Sequence, residues 1–149
     1  MEERKMSKVN VVFWSGTGNT EAMANAVAQG AKSAGAEVDV CMVSAADINA
    51  LAEEKVIALG CPSMGGEQLE ESEMEPFMAE LEGKLSGKQV ALFGSYGWGN
   101  QEWMRDWEER VKSAGATVVN DTGITVNGTP DDSVLEECKA LGKTLAGLA

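Results

Sequence analysis

The sequence predicts a doubly wound α/β domain, a five-stranded parallel sheet with helices on both faces. Three observations carry this. Strand-like and helix-like stretches alternate along the chain, the pattern of a parallel sheet covered on both sides. The runs Val9–Phe13 and Val56–Gly60 are nearly all apolar, as strands buried on both faces are. Between Val9–Phe13 and the first helical pattern lies Ser15–Thr20, a tight loop of glycines and small polar residues without a charge.

The elements follow in order. Ala22, Met23, Ala26, Val27 and Ala31 recur at helical spacing, and Ala34–Gly35–Ala36 ends that helix. Val38–Val43 reads as the second strand and Ser44–Leu51 as a short helical or irregular connection. Val56–Gly60 is the third strand, and Cys61–Gln68 the loop that leaves it. Leu69–Leu81 is helical in pattern, with Met74, Phe77, Met78 and Leu81 on one face. Lys88–Gly94 is the fourth strand, and Ser95–Gln101 its loop. In the helix Glu102–Ala114, Trp103, Trp107 and Val111 repeat every four residues, which assigns both tryptophans to the core. Thr117–Val119 and Ile124–Val126 form a fifth strand, either continuous or interrupted between them. Thr129 as N-cap, Pro130 and two aspartates start a last helix, whose stripe is Val134, Leu135, Cys138, Leu141 and Leu145.

At 149 residues the chain is expected to form a single domain, residues 9–149, preceded by a short charged tail, residues 1–8. That tail lacks the apolar core of a signal peptide, and the apolar runs are strand-length. A cytoplasmic location is the expectation. Cys41, Cys61 and Cys138 are widely spaced and odd in number, which argues against a disulfide framework. Cys41 and Cys138 are assigned to the core. Histidine is absent, which removes His-based triads, relays and metal sites, and no metal site is expected. The net charge of −12 argues against nucleic acid and anionic membrane surfaces as partners. It suits docking onto basic partner proteins, and it requires any phosphate to be held by neutral dipoles.

Doubly wound sheets bind ligands at the carboxyl ends of their strands. The first loop there, Ser15–Thr20, leads into a helix N-terminus, a ready anion site. It is no Walker A loop, since no lysine lies between Lys8 and Lys32. Nor is it a dinucleotide fingerprint, because Glu21 stands where the third glycine is required. The second loop, Cys61–Gln68, and the third, Gly94–Gln101, each carry a large polarisable group among glycines, Met64 and Trp98. Apolar groups at loop tips call for a partner. Beside a phosphate loop, the pair points to a flat, phosphorylated, aromatic cofactor.

Trp14–Thr20, Gly60–Gly65 and Phe93–Gly99 together resemble the three FMN loops of the short-chain flavodoxins of anaerobic bacteria. Leu69–Ser72 and Trp103–Asp106 extend the resemblance, which covers nearly the whole chain from Val9. It implies a flavodoxin-like sheet of order 2-1-3-4-5 and a monomeric, low-potential one-electron carrier. FMN would be bound non-covalently and pass through quinone, semiquinone and hydroquinone states between redox enzymes. The implied binding residues are Ser15, Gly16, Thr17, Gly18, Asn19 and Thr20 at the phosphate. Pro62, Ser63, Met64, Gly65, Gly66, Glu67, Ser95, Tyr96, Gly97, Trp98 and Gly99 would surround the ring. Met64 and Trp98 would sandwich it, and Glu67 would accept from flavin N3–H. No residue is catalytic in the acid–base sense. The Gly65–Gly66 peptide would turn with redox state, with Gly66 at the positive-φ position of a type II turn. Gly66 is also a departure, since many relatives carry a larger, often acidic residue there.

Rival readings leave marks that are missing. A phospho-receiver domain needs an aspartate where Gly60–Cys61 ends the third strand, and an acidic pair where Trp14–Ser15 stands. A small tyrosine phosphatase needs C-x5-R, whereas Glu67 stands at that distance from Cys61. The remaining alternative is a small FMN-dependent quinone reductase, which needs a second site for nicotinamide.

Overall fold

The computed structural model describes residues 8–149, so the expected tail falls outside the described residues except for Lys8. Lys8 opens the first strand. Its ammonium pairs with Asp39 at 3.0 Å and Glu54 at 3.5 Å.

Six parallel strands form one sheet: β1 (Lys8–Phe13), β2 (Glu37–Met42), β3 (Val56–Gly60), β4 (Gln89–Tyr96), β5 (Thr117–Val118) and β6 (Ile124–Asn127). Their order is β2-β1-β3-β4-β5, with β6 also against β4. The expected fifth strand is thus interrupted. β5 pairs with the start of β4 at Gln89–Val90, and β6 with its end at Phe93–Tyr96. Asn120 and Asp121 make the break, both at positive φ.

Five α-helices cover the sheet: α1 (Asn19–Ser33), α2 (Ile48–Ala52), α3 (Met74–Leu81), α4 (Glu102–Ser113) and α5 (Asp132–Leu148). Alternate strand residues feed two cores, because successive side chains point to opposite faces. Val9, Val11 and Phe13 of β1 pack with Met23, Val27, Cys138 and Leu141 of α1 and α5. Val12 packs on the other side with Leu51, Phe77, Trp103 and Trp107 of α2, α3 and α4. Trp103 and Trp107 are core residues, each 1% exposed.

α1 and α5 cross through glycines. A Cβ on Gly30 would lie 1.9 Å from the Lys139 carbonyl oxygen, and one on Gly142 would lie 2.0 Å from that of Val27.

Two helices start later than the sequence suggests. α3 begins at Met74, because the buried Glu70 carboxylate bends the chain back and accepts from the N–H groups of Ser72, Glu73 and Met74. α5 begins at Asp132, because Asp131 caps it by accepting from Val134 N–H at 2.9 Å. Thr129 is therefore not the cap. Cys138 is fully buried, whereas Cys41 is only half-buried at the core margin. Burial pushes the Cys61 and Cys138 thiols up to about 12, so both are inert thiols.

Candidate functional site

β1 delivers the chain to the first loop. Trp14 N–H donates to Gly60 O at 2.9 Å, and the chain then curls around Ser15. The Ser15 Oγ accepts from Gly18 N–H at 3.1 Å and Glu21 N–H at 3.3 Å. Gly18 occupies the N-cap of α1 at φ 96°, a conformation that costs glycine nothing, and Ser15 supplies the side-chain acceptor that the cap residue itself lacks. The N–H groups of Thr17, Asn19 and Thr20 have no partner among the described residues. Free donors at the positive end of a 15-residue helix form an anion cradle without a cation. The Trp14 ring covers the loop so closely that a Cβ on Gly16 would meet it at 3.1 Å.

The second loop is a hairpin. Met64 N–H donates to Gln68 O at 2.8 Å, and Gln68 N–H returns a bond to Met64 O at 3.0 Å. Between them Gly65 has φ 52° and Glu67 has φ 58°, while Gly66 is not among the positive-φ residues. This corrects the type II expectation, since a three-residue loop closed on Gln68 moves the left-handed conformation to the flanking positions. Glu67, a rare non-glycine there, is held by its side chain. Its Oε1 accepts from Asn100 N–H and Glu102 N–H, both at 3.0 Å, clasping the hairpin to the N-terminus of α4. Gly99 leaves the room, as a Cβ there would lie 2.5 Å from the Glu67 carboxyl carbon.

Buried supports hold these loops in register. Trp103 Nε1–H donates to Cys61 O at 3.0 Å, and Ser63 N–H to Ser95 O at 2.9 Å. Burial alone would push the Glu70 carboxyl up, but the Ser72 hydroxyl and three backbone N–H groups outweigh it and hold it below the usual carboxylate range. The Arg110 guanidinium grips Glu75 through two nitrogens, at 2.8 and 2.7 Å, and Glu82 at 2.8 Å. In the third loop, Gln101 receives a bond from Thr125 at 2.7 Å and donates to the Tyr96 hydroxyl at 3.3 Å.

The loops enclose a cleft of about 260 Å³. Gly16, Thr17, Asn19, Pro62, Ser63, Met64, Ser95, Tyr96 and Gly97 line it, as the sequence suggests. Trp14 and Gly128 line it too and were missing from the expected set. Trp14 is signalled by its place next to Ser15. Gly128 has no local signal, because only the pairing of β6 with β4 brings it there, with its N–H on Tyr96 O at 2.8 Å. Ser15, Gly18, Thr20, Gly65, Gly66, Glu67, Trp98 and Gly99 are not on the cleft wall. Ser15 and Gly18 shape the loop beneath it. Thr20 is 1% exposed and faces the Ser95 hydroxyl at 3.4 Å. Trp98 stands 64% exposed in the third loop. A larger cavity of about 340 Å³ opens under α2 and involves none of the three loops.

A doubly wound sheet with an uncharged anion cradle beside an apolar-walled cleft defines a carrier of a phosphorylated aromatic cofactor. Residues 11–142 match the family model described as Flavodoxin. Curated flavodoxins from Megasphaera elsdenii and Clostridium beijerinckii are 51% and 48% identical, covering 93% and 94% of this chain and 98% and 100% of their own lengths. The solution structure of two-electron reduced Megasphaera elsdenii flavodoxin superposes with a TM-score of 0.85 at 49% identity, covering 93% of this chain and 98% of that one. The chain belongs to the flavodoxin family, whose members are FMN-binding electron carriers rather than enzymes and pass electrons to redox partner proteins. The residues present fit FMN: unpartnered N–H groups suit a phosphate, and Trp14, Pro62, Met64 and Tyr96 suit a ring.

Proposed function

We propose that this chain holds FMN with its phosphate on the Thr17, Asn19 and Thr20 N–H groups and its ring between Met64 and Trp98. Bound FMN supplies the one-electron chemistry. The chain binds it, orients it and limits water around it. The observation that carries this reading is the N-terminus of α1, where the Thr17, Asn19 and Thr20 N–H groups are without a partner among the described residues and the loop holds no basic side chain. Neutral donors hold a dianion there without adding a charge that the acidic surface would attract. Glu67 has one oxygen committed to α4 and a second, Oε2, without a partner among the described residues. That oxygen is the one available to a ring N–H.

The exposed Trp98 supports the same reading, because a large apolar side chain at a loop tip gains cover when a ring stacks on it. The partners in this reading are basic redox proteins. The protein works as a monomer in the cytoplasm, away from nucleic acid and membranes, and among the described residues no helix is long and apolar enough to cross a bilayer. Of the seven acids from Glu67 to Glu82, Glu70 is buried, and Glu75 and Glu82 share Arg110, which offsets one of their two charges. Docking therefore falls to Glu71, Glu73 and Glu80, all exposed.

Flavin fluorescence tests the stacking. Emission is strongly quenched on binding, and Trp98→Ala restores part of it. Unchanged emission in Trp98→Ala assigns the stack to another residue.

A further inference from the structure

A second polar cavity, about 190 Å³, lies between the Met64–Gln68 hairpin, α3 and α4. Trp107 lines it and is 1% exposed, yet its Nε1–H is without any partner, alone in this among buried side-chain polar atoms of the described residues. One turn earlier, Trp103 spends the same group on Cys61 O. An unmet buried donor costs about 1–3 kcal/mol, so an acceptor is required. The nearby protein acceptors are committed. Both Glu75 oxygens bond Arg110, and Glu67 Oε1 accepts from Asn100 N–H and from Glu102 N–H at the start of α4. Acceptors on the wall that remain without a donor include Glu67 Oε2, the Asp106 carboxylate and the Gln68 side-chain oxygen.

The guest must therefore accept from an indole N–H and donate to carboxylates. A cation cannot accept, and an anion would face two carboxylates. Water does both, and the cavity is polar and roomy enough for it. Glu67 and Trp107 both line this one cavity, so water within it can meet both groups. We propose that ordered water in this cavity accepts from Trp107 Nε1–H and donates to one lone pair of Glu67 Oε2, the other staying open to a ring N–H. Trp107 is thereby a positioning residue for the clasp between the hairpin and α4. The inference does not rest on what fills the larger cleft.

The test uses the full FMN-loaded chain in solution. Water-selective NMR on the unaltered protein is expected to show a cross-peak between the Trp107 indole proton and a long-lived water. Trp107→Phe keeps an aromatic side chain, though a smaller one, and removes the donor. Amide hydrogen exchange at Asn100 and Glu102 should then accelerate about fivefold, the factor of one ordinary hydrogen bond. Exchange along β3 and β4 should stay unchanged, which separates a lost clasp from general loosening. A missing cross-peak overturns the proposal, as does unchanged exchange at Asn100 and Glu102 in folded Trp107→Phe. The cross-peak decides the matter even if phenylalanine impairs folding.

Discussion

On one face of the sheet α1 and α5 meet backbone to backbone, through Gly30 and Gly142 and a layer of alanine, valine and leucine. On the other face α3 and α4 stand apart, joined by Arg110 to Glu75 and Glu82 and by Glu67 to the α4 N-terminus, with a polar cavity between them. The first face depends on volume and tolerates no added atom. The second depends on polar groups meeting their partners. The second and third loops of the site hang from the second face, where Glu70, Glu67 and Trp103 set their positions, while the first opens α1 on the other. The difference teaches that stability and cofactor affinity should be separable here by choosing the face to be changed.

The largest effect is expected on the packed face. Alanine for glycine inside a helix ordinarily gains about 1 kcal/mol. At Gly142 the added carbon meets the Val27 carbonyl oxygen at 2.0 Å. Gly142→Ala should therefore lose about 3 kcal/mol in denaturant unfolding, while the folded fraction keeps its FMN affinity. A stabilised variant would show that the helices do not approach this closely.

On the polar face, Glu70→Gln removes a charged acceptor from the Ser72, Glu73 and Met74 N–H groups. About 2 kcal/mol of stability should go with it, and FMN affinity should fall as well, because the hairpin loses its anchor. The pH dependence has a fixed sign. Glu70 titrates below its unfolded value, so its contribution is fully present above the ordinary glutamate value of about 4.3. It is lost as pH falls through the lower folded value. Glu70→Gln should flatten the stability profile in that acid window and leave it unchanged near neutrality apart from the offset. A parallel profile with no flattening assigns acid sensitivity to other carboxylates.

Gly99→Ala gives the smallest change in stability and the clearest separation. At φ 91° a side chain is strained by about 1–2 kcal/mol, and this one presses on the Glu67 carboxylate. The cost falls on the clasp, so FMN affinity should drop about tenfold while the cooperative unfolding of the sheet barely moves. Equal losses in both would erase the distinction between the two faces.

Much of this was legible in the sequence, for physical reasons. Apolar runs name buried strands, and a fourfold repeat of Trp103, Trp107 and Val111 names a buried helix face, because those patterns report burial directly. The same holds for the anion loop, where glycines and hydroxyls precede a helix. What could not be read are features made by the particular partner that one side chain finds. Glu70 delays α3 by folding back on its own turn. Glu67 adopts φ 58° because the N–H groups of Asn100 and Glu102, more than thirty residues on, hold its carboxylate. Gly128 reaches the cleft only because the fifth strand breaks and its second half pairs with the end of β4. Thr20 carries the right chemistry for a phosphate but is spent on Ser95. Spacing reveals a residue's element, not the partner that its side chain finds.

The central claim is that FMN is held at the phosphate by neutral donors of the first loop. Thr17 is the side chain to change, since it is exposed and lines the cleft whereas Thr20 is buried. Fluorescence titration of the unaltered protein and Thr17→Asp with FMN and with riboflavin compares the two ligands directly. Aspartate places an anion against the phosphate, so FMN affinity should fall sharply while riboflavin affinity changes much less. Equal loss for FMN and riboflavin would contradict the account.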